Sequence, residues 1–124
     1  MKPIDGIDGL HLMGNLYGCG GKESLLREVD ALRSYCVDLV KESGLTAVGE
    51  RFHQFGSSGG VTGVVILAEC HLAVHTWPEK RFVTLDVFVY DMHCDSLAKA
   101  HRLFDTLVAA FEPEEKRYYA VERF

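Results

Sequence analysis

The chain has 124 residues, 48% hydrophobic and 25% charged, with a formal net charge of -5. That size suits one domain spanning 1–124 around one core. No basic cluster exceeds a pair such as Lys80 with Arg81, which excludes a nucleic-acid partner bound through its phosphates. No apolar run approaches the roughly 20 residues needed to cross a bilayer, so no membrane partner is expected. The first ten residues carry Asp5 and Asp8 and no apolar stretch of the signal-peptide kind, which predicts a cytoplasmic location. Cys19, Cys36, Cys70 and Cys94 are widely and irregularly spaced, which fits free thiols in a reducing compartment.

In chain order, residues 1–8 read as a loose arm and GLHLMGNLY (9–17) as a strand ended by the glycines at 18–21. Leu25, Val29, Leu32, Cys36, Leu39 and Val40 recur at three- and four-residue steps, predicting one helix over 23–42 with Gly44 at its C-terminal end. Strands follow over 45–55, 61–69, 71–77 and 82–90, with a glycine-rich loop at 56–60. In the last strand Val83, Leu85, Val87 and Val89 make one apolar face. Phe82, Thr84, Asp86, Phe88 and Tyr90 make a mixed one, fit either for a pocket or for a second packed surface. Leu97, Ala100, Phe104, Leu107, Val108 and Phe111 stripe a helix over 96–111, capped by Asp95 or Ser96, and residues 116–123 close the chain as a strand. The order predicts an α+β two-layer sandwich, its mainly antiparallel sheet covered by helices on one face.

The chemistry concentrates at residues 69–79, ECHLAVHTWPE. On a helix the spacing of His71 and His75 would suit a metal. Val, Thr, Trp and the closing Pro make the segment a strand, where four steps span about 13 Å. Rings that far apart do not share a zinc at roughly 2 Å bonds, so no metal is expected. Cys70 and His75 also form a candidate nucleophile pair. They are five apart and on opposite faces of a regular strand, so they meet only if the strand breaks or turns near residue 70. The alternative is a small buried Cys70 and a hydrogen-bonded core His75.

GVTGVVILAECHLAVHTWPE (60–79) is similar to the processing-site block of prokaryotic S-adenosylmethionine decarboxylases, roughly G-V-S-G-V-V-x-I-x-E-S-H-x-x-x-H-T-W-P-E, with no gap. GLHLMGNLYGC (9–19) and RFHQF (51–55) resemble that family's first strand and the strand before its glycine loop. The resemblance implies a proenzyme that cuts itself before the block's serine. The new terminus becomes a pyruvoyl group, which decarboxylates S-adenosylmethionine through a Schiff base in polyamine (spermidine) synthesis. It also implies a homodimer.

By position, Glu69 and Cys70 form the scissile pair, Thr62 and His75 assist processing, Phe55 stacks on adenine and Glu79 accepts from ribose hydroxyls. The glycine loop after Phe55 is one residue longer than the family pattern. Cys70 stands where the family has serine. A thiol allows the same acyl shift, with elimination and loss of sulfide, so a pyruvoyl group derived from Cys70 is the implied cofactor. Tyr90 stands at the family's proton-donating cysteine, and a phenol is a weaker proton donor than a thiol. Cys94 takes that role only if its loop folds back, and Asn15 replaces an acidic residue. These departures leave two further readings: an unprocessed, catalytically silent binding or regulatory homologue, or a pyruvoyl decarboxylase of another amino acid. The self-cleaving readings rest on Cys70 lying beside the ring of His75.

Overall fold

The computed structural model describes residues 9–57, 59–68, 70–90 and 94–123, without the side chains of Cys94 and Asp95. The alternation at 82–90 becomes β5 (Phe82–Tyr90), with Val83, Leu85, Val87 and Val89 all buried on one side. β5 pairs antiparallel with β1 (Gly9–Tyr17) and with β4 (Cys70–Trp77). β3 (Val61–Leu67) and β2 (Ala47–Gln54) extend the sheet beyond β4, and β6 (Glu115–Arg123) extends it beyond β1. All five pairings are antiparallel, in the order β2-β3-β4-β5-β1-β6.

Helices α1 (Glu23–Arg27), α2 (Val29–Ser43) and α3 (Cys94–Phe111) cover one face. Leu32, Cys36 and Val40 of α2, and Leu103, Phe104, Leu107 and Phe111 of α3, pack with Leu12, Leu16, Leu72 and Leu85 of the sheet. Burying these side chains stabilises by about 1.5–3 kcal/mol each, which commits the odd residues of β5 and the even residues of β4 to the helix side. This is the expected α+β sandwich. Helix α3 starts two residues earlier than the 96–111 span expected from its apolar stripe, placing Asp95 and Ser96 inside its first turn.

Two local features differ from the sequence reading. The single helix over 23–42 is broken at Glu28, whose backbone is extended (φ -112, ψ 115). The break re-aims the chain, so Leu25 and Leu26 are both buried before the 29–40 stripe begins. Groups freed at the break find side-chain partners: Thr76 Oγ1 donates to the Leu26 carbonyl (2.7 Å), and the Val29 N–H donates to Gln54 Oε1 (2.9 Å). The second difference is the link between β3 and β4. Leu67 pairs directly with Cys70, so only residues 68 and 69 connect the strands. The chain therefore turns before Cys70, and β4 runs without a register break to Trp77.

Candidate active site

The sheet face away from the helices is open, and the even residues of β3 and β5 and the odd residues of β4 point to it. At one end, Thr62 of β3 lies opposite His75 of β4, and Thr62 Oγ1 is 3.0 Å from His75 Nδ1. Phe55 follows β2 and is 53% exposed, with the His53 ring edge-on at 4.6 Å. The loop after Phe55 closes when its N–H donates to the Gly60 carbonyl (2.8 Å). Only glycine fits at position 60, since a Cβ there would strike the Thr76 carbonyl oxygen. Trp77, 38% exposed, ends β4, its ring 5.3 Å from Phe82 and 6.0 Å from His75. A 3₁₀ turn (Pro78–Lys80) then carries Glu79.

Phe55, Thr62, Trp77 and Glu79 line one cleft of about 400 Å³, with Gly59, Gly60 and Thr76 completing its wall. Three of the residues singled out in the sequence therefore meet, and His75 joins them through Thr62. Trp77 had not been singled out. Its signal was its place in the H-T-W-P-E run, between His75 and Glu79.

Cys70 lies at the other end. It sits opposite Val89, turned to the helix side and partly packed on the core, and its thiol donates to the Ala68 carbonyl at 3.4 Å. Five strand steps separate it from His75, roughly 16 Å, and the two side chains take opposite faces. The expected contact between Cys70 and the His75 ring is thus not made within one chain, because the turn falls before residue 70 and leaves both on one straight strand. Tyr90, 41% exposed, ends β5 on the open face one residue past Val89, its ring 4.8 Å from Phe88. Glu69 and the side chain of Cys94 lie outside the described residues.

Between the two ends the open face carries a polar patch among aromatic rings. His11 Nε2 is 3.2 Å from Asp86 Oδ1, and the His11 ring is 5.8 Å from Phe88 and 6.5 Å from His71. Asn15 also points to this face, opposite Thr84 and Arg117.

The described cysteines differ in reactivity. Burial pushes the Cys36 thiol up to about 12 and the Cys19 thiol up to about 11, the latter eased by the charge of Arg81. Both are neutral thiols near neutral pH and buried, whereas Cys70 is partly exposed. Iodoacetamide applied to the folded protein is expected to label Cys70 well before Cys19 or Cys36. Peptide mapping by mass spectrometry checks this, and equal labelling of all three would contradict the packing.

Residues 10–124 match the family model described as S-adenosylmethionine decarboxylase. The chain belongs to the S-adenosylmethionine decarboxylase family. It is 38% identical over 117 residues to the S-adenosylmethionine decarboxylase proenzyme of Archaeoglobus fulgidus, covering 94% of this chain and 98% of that protein. It is 36% identical to the proenzyme of Aeropyrum pernix, covering 93% of this chain and 83% of that one. The crystal structure of the adenosylmethionine decarboxylase from Aquifex aeolicus superimposes with a TM-score of 0.80 at 32% identity, covering 94% of this chain and 91% of that one. The S-adenosylmethionine decarboxylase match includes both ends of the sheet, the cleft as well as the turn before Cys70.

Proposed function

We propose that this chain is a self-cleaving decarboxylase of S-adenosylmethionine that supplies the aminopropyl donor for polyamine (spermidine) synthesis. The observation that carries the reading is the cleft. It combines two exposed aromatic faces, a carboxylate and a hydrogen-bonded Thr62 and His75 in a chain of that family. Phe55 and Trp77 offer π-faces to a purine, where stacking contributes about 1–3 kcal/mol per base. Glu79 is an acceptor for vicinal ribose hydroxyls. His75 exchanges a proton with Thr62 across their 3.0 Å contact.

Residue 70 suits a group made from its own side chain, because its thiol lies at the link that joins β3 to β4, donating to the Ala68 carbonyl one peptide upstream of the bond to be cut. The pyruvoyl group so formed supplies a ketone that takes up the electrons released with carbon dioxide. Tyr90, on the open face one residue past the partner of Cys70 at the start of β4, is the proton donor in this reading.

The protein acts as a homodimer in this reading, which two features of the open face support. Ile66 (48% exposed), Trp77, Tyr90 and Tyr119 leave it apolar and uncovered, as protein-interaction surfaces are. Cleft and turn lie at opposite ends of it, so a two-fold axis through its middle sets the cleft of one protomer over the turn of its partner. Each active site then takes one half from each chain. Free thiols at Cys19 and Cys36 fit a reducing cytoplasm.

Intact mass tests the enzyme reading. Incubation with reductant and S-adenosylmethionine is expected to yield two pieces, split between residues 69 and 70, whereas a stable 13.9 kDa chain would remove the cofactor and the activity. The helix-side packing of Cys70 favours a second reading, a chain that binds the nucleoside but stays whole. Decarboxylation of another amino acid would show instead as cleavage with turnover of a different amine in a substrate panel.

A further inference from the structure

The residue before Phe55 is tied to its surroundings at three points. Gln54 Oε1 accepts from the Val29 N–H at the start of α2 (2.9 Å), while Gln54 Nε2 donates to the carbonyls of Gly59 (3.0 Å) and Gly60 (3.4 Å). One amide therefore joins the helix break to the glycine loop. Thr76 ties the same break to the start of β3, accepting from the Val61 N–H (2.8 Å) and donating to the Leu26 carbonyl. The loop matters because Phe55 stands on it half-exposed, with no place in the core to hold its ring. An aromatic on an unrestrained loop loses part of its stacking energy to the entropy of ordering that loop on binding.

We propose that Gln54 is a positioning residue of the cleft, fixing the Phe55 loop against the N-terminus of α2 so that the ring is pre-set for a purine. This rests on the reading of the cleft as a nucleoside site. Gln54 does not line the cleft and acts through Phe55. Its amide is suited to the task because it both accepts and donates. A carboxylate in its place keeps the acceptor for the Val29 N–H, where the helix N-terminus favours negative charge, but has no proton for the Gly59 carbonyl.

Gln54→Glu therefore separates the two ties. The probe is 5′-methylthioadenosine, which lacks the amine and carboxylate and so binds without reacting, whatever the state of residue 70. The readout is the fluorescence of Trp77, the single tryptophan of the chain. We expect saturable quenching in the unaltered chain and about tenfold weaker binding in Gln54→Glu at an essentially unchanged Tm. Gln54→Met, which loses both ties, is expected to weaken binding similarly and to lower Tm as well. Equal affinity of Gln54→Glu and the unaltered chain would overturn the positioning role and leave the nucleoside reading standing. A Gln54→Glu Tm that falls along with affinity would reduce Gln54 to a folding residue and overturn the role too. No quenching in the unaltered chain would overturn the nucleoside reading, and this role with it.

Discussion

Cys70→Ser is expected to speed self-cleavage about tenfold or more, and Cys70→Ala to abolish it. In the acyl shift the side-chain nucleophile bonds to the carbonyl carbon of residue 69, and the C–N bond to residue 70 breaks, freeing the amine. Removal of the Cα proton of residue 70 then breaks the bond between Cβ and the heteroatom. The heteroatom stays with residue 69 and keeps the electron pair. The dehydroalanine left at residue 70 tautomerises to an imine, and water hydrolyses it to the ketone with loss of ammonia. With sulfur, the N-terminal piece ends in a thiocarboxylate, and sulfide appears only when that hydrolyses. With oxygen it ends in an ordinary carboxylate. The brake we propose is the resting place of the thiol, half-packed on the helix-side core, where a cysteine behaves as a small hydrophobe. A serine hydroxyl gains nothing from that wall, and its burial there costs about 1–3 kcal/mol, so it shifts toward the turn. A time course of intact mass reads both the rate and the end group. The unaltered N-terminal piece should be heavier than that of Cys70→Ser by the difference between sulfur and oxygen. A Cys70→Ser chain no faster than the parent would show that the thiol is not what slows processing.

The outline of the fold was legible because burial writes itself into periodicity. Val83, Leu85, Val87 and Val89 announced β5, and the stripe from Ala100 to Phe111 announced α3. The same periodicity hid the break at Glu28, since Leu25 and Val29 continue a helical stripe whether or not the backbone between them is helical. What decides that break lies far away in sequence, in the side chains of Gln54 and Thr76. The turn between β3 and β4 lacked warning too, because Ala68 and Glu69 are neither Gly, Asn, Asp nor Pro, the residues that mark two-residue hairpins. For the site, family resemblance named Thr62, His75, Phe55 and Glu79, the pairing of β3 with β4 sets Thr62 against His75, and the cleft unites three of these four. Parity also warned that Cys70 and His75 take opposite faces. A resemblance says which residues serve a site but not which chain supplies each of them, and here the straight β4 makes that distinction matter.

Complementation between two inactive chains follows from that geometry. His75→Ala alone is expected to abolish cleavage, since Thr62 then has no imidazole with which to exchange a proton. Cys70→Ala alone removes the nucleophile. If both halves of a site came from one chain, mixing these variants would rescue nothing. In a two-fold dimer built on the open face, the Cys70 of one chain is served by the partner's His75 once its thiol leaves the helix-side wall and swings across the turn toward that face. A heterodimer of the two variants then holds one complete site and one lacking both groups. Coexpression with distinguishable tags is expected to restore cleavage only in the His75→Ala chain, to at most half of the sites, and never in the Cys70→Ala chain. Replacing Ile66 by Glu on both chains supplies the control, because a charge on the open face should separate the protomers and cancel the rescue. Rescue that survives the Ile66 change would place the interface elsewhere than the open face, whereas absence of rescue in a proven heterodimer would mean that roughly 16 Å of strand is bridged inside one chain. That would require β4 to break between residues 70 and 75, where it now pairs residue by residue with both β3 and β5.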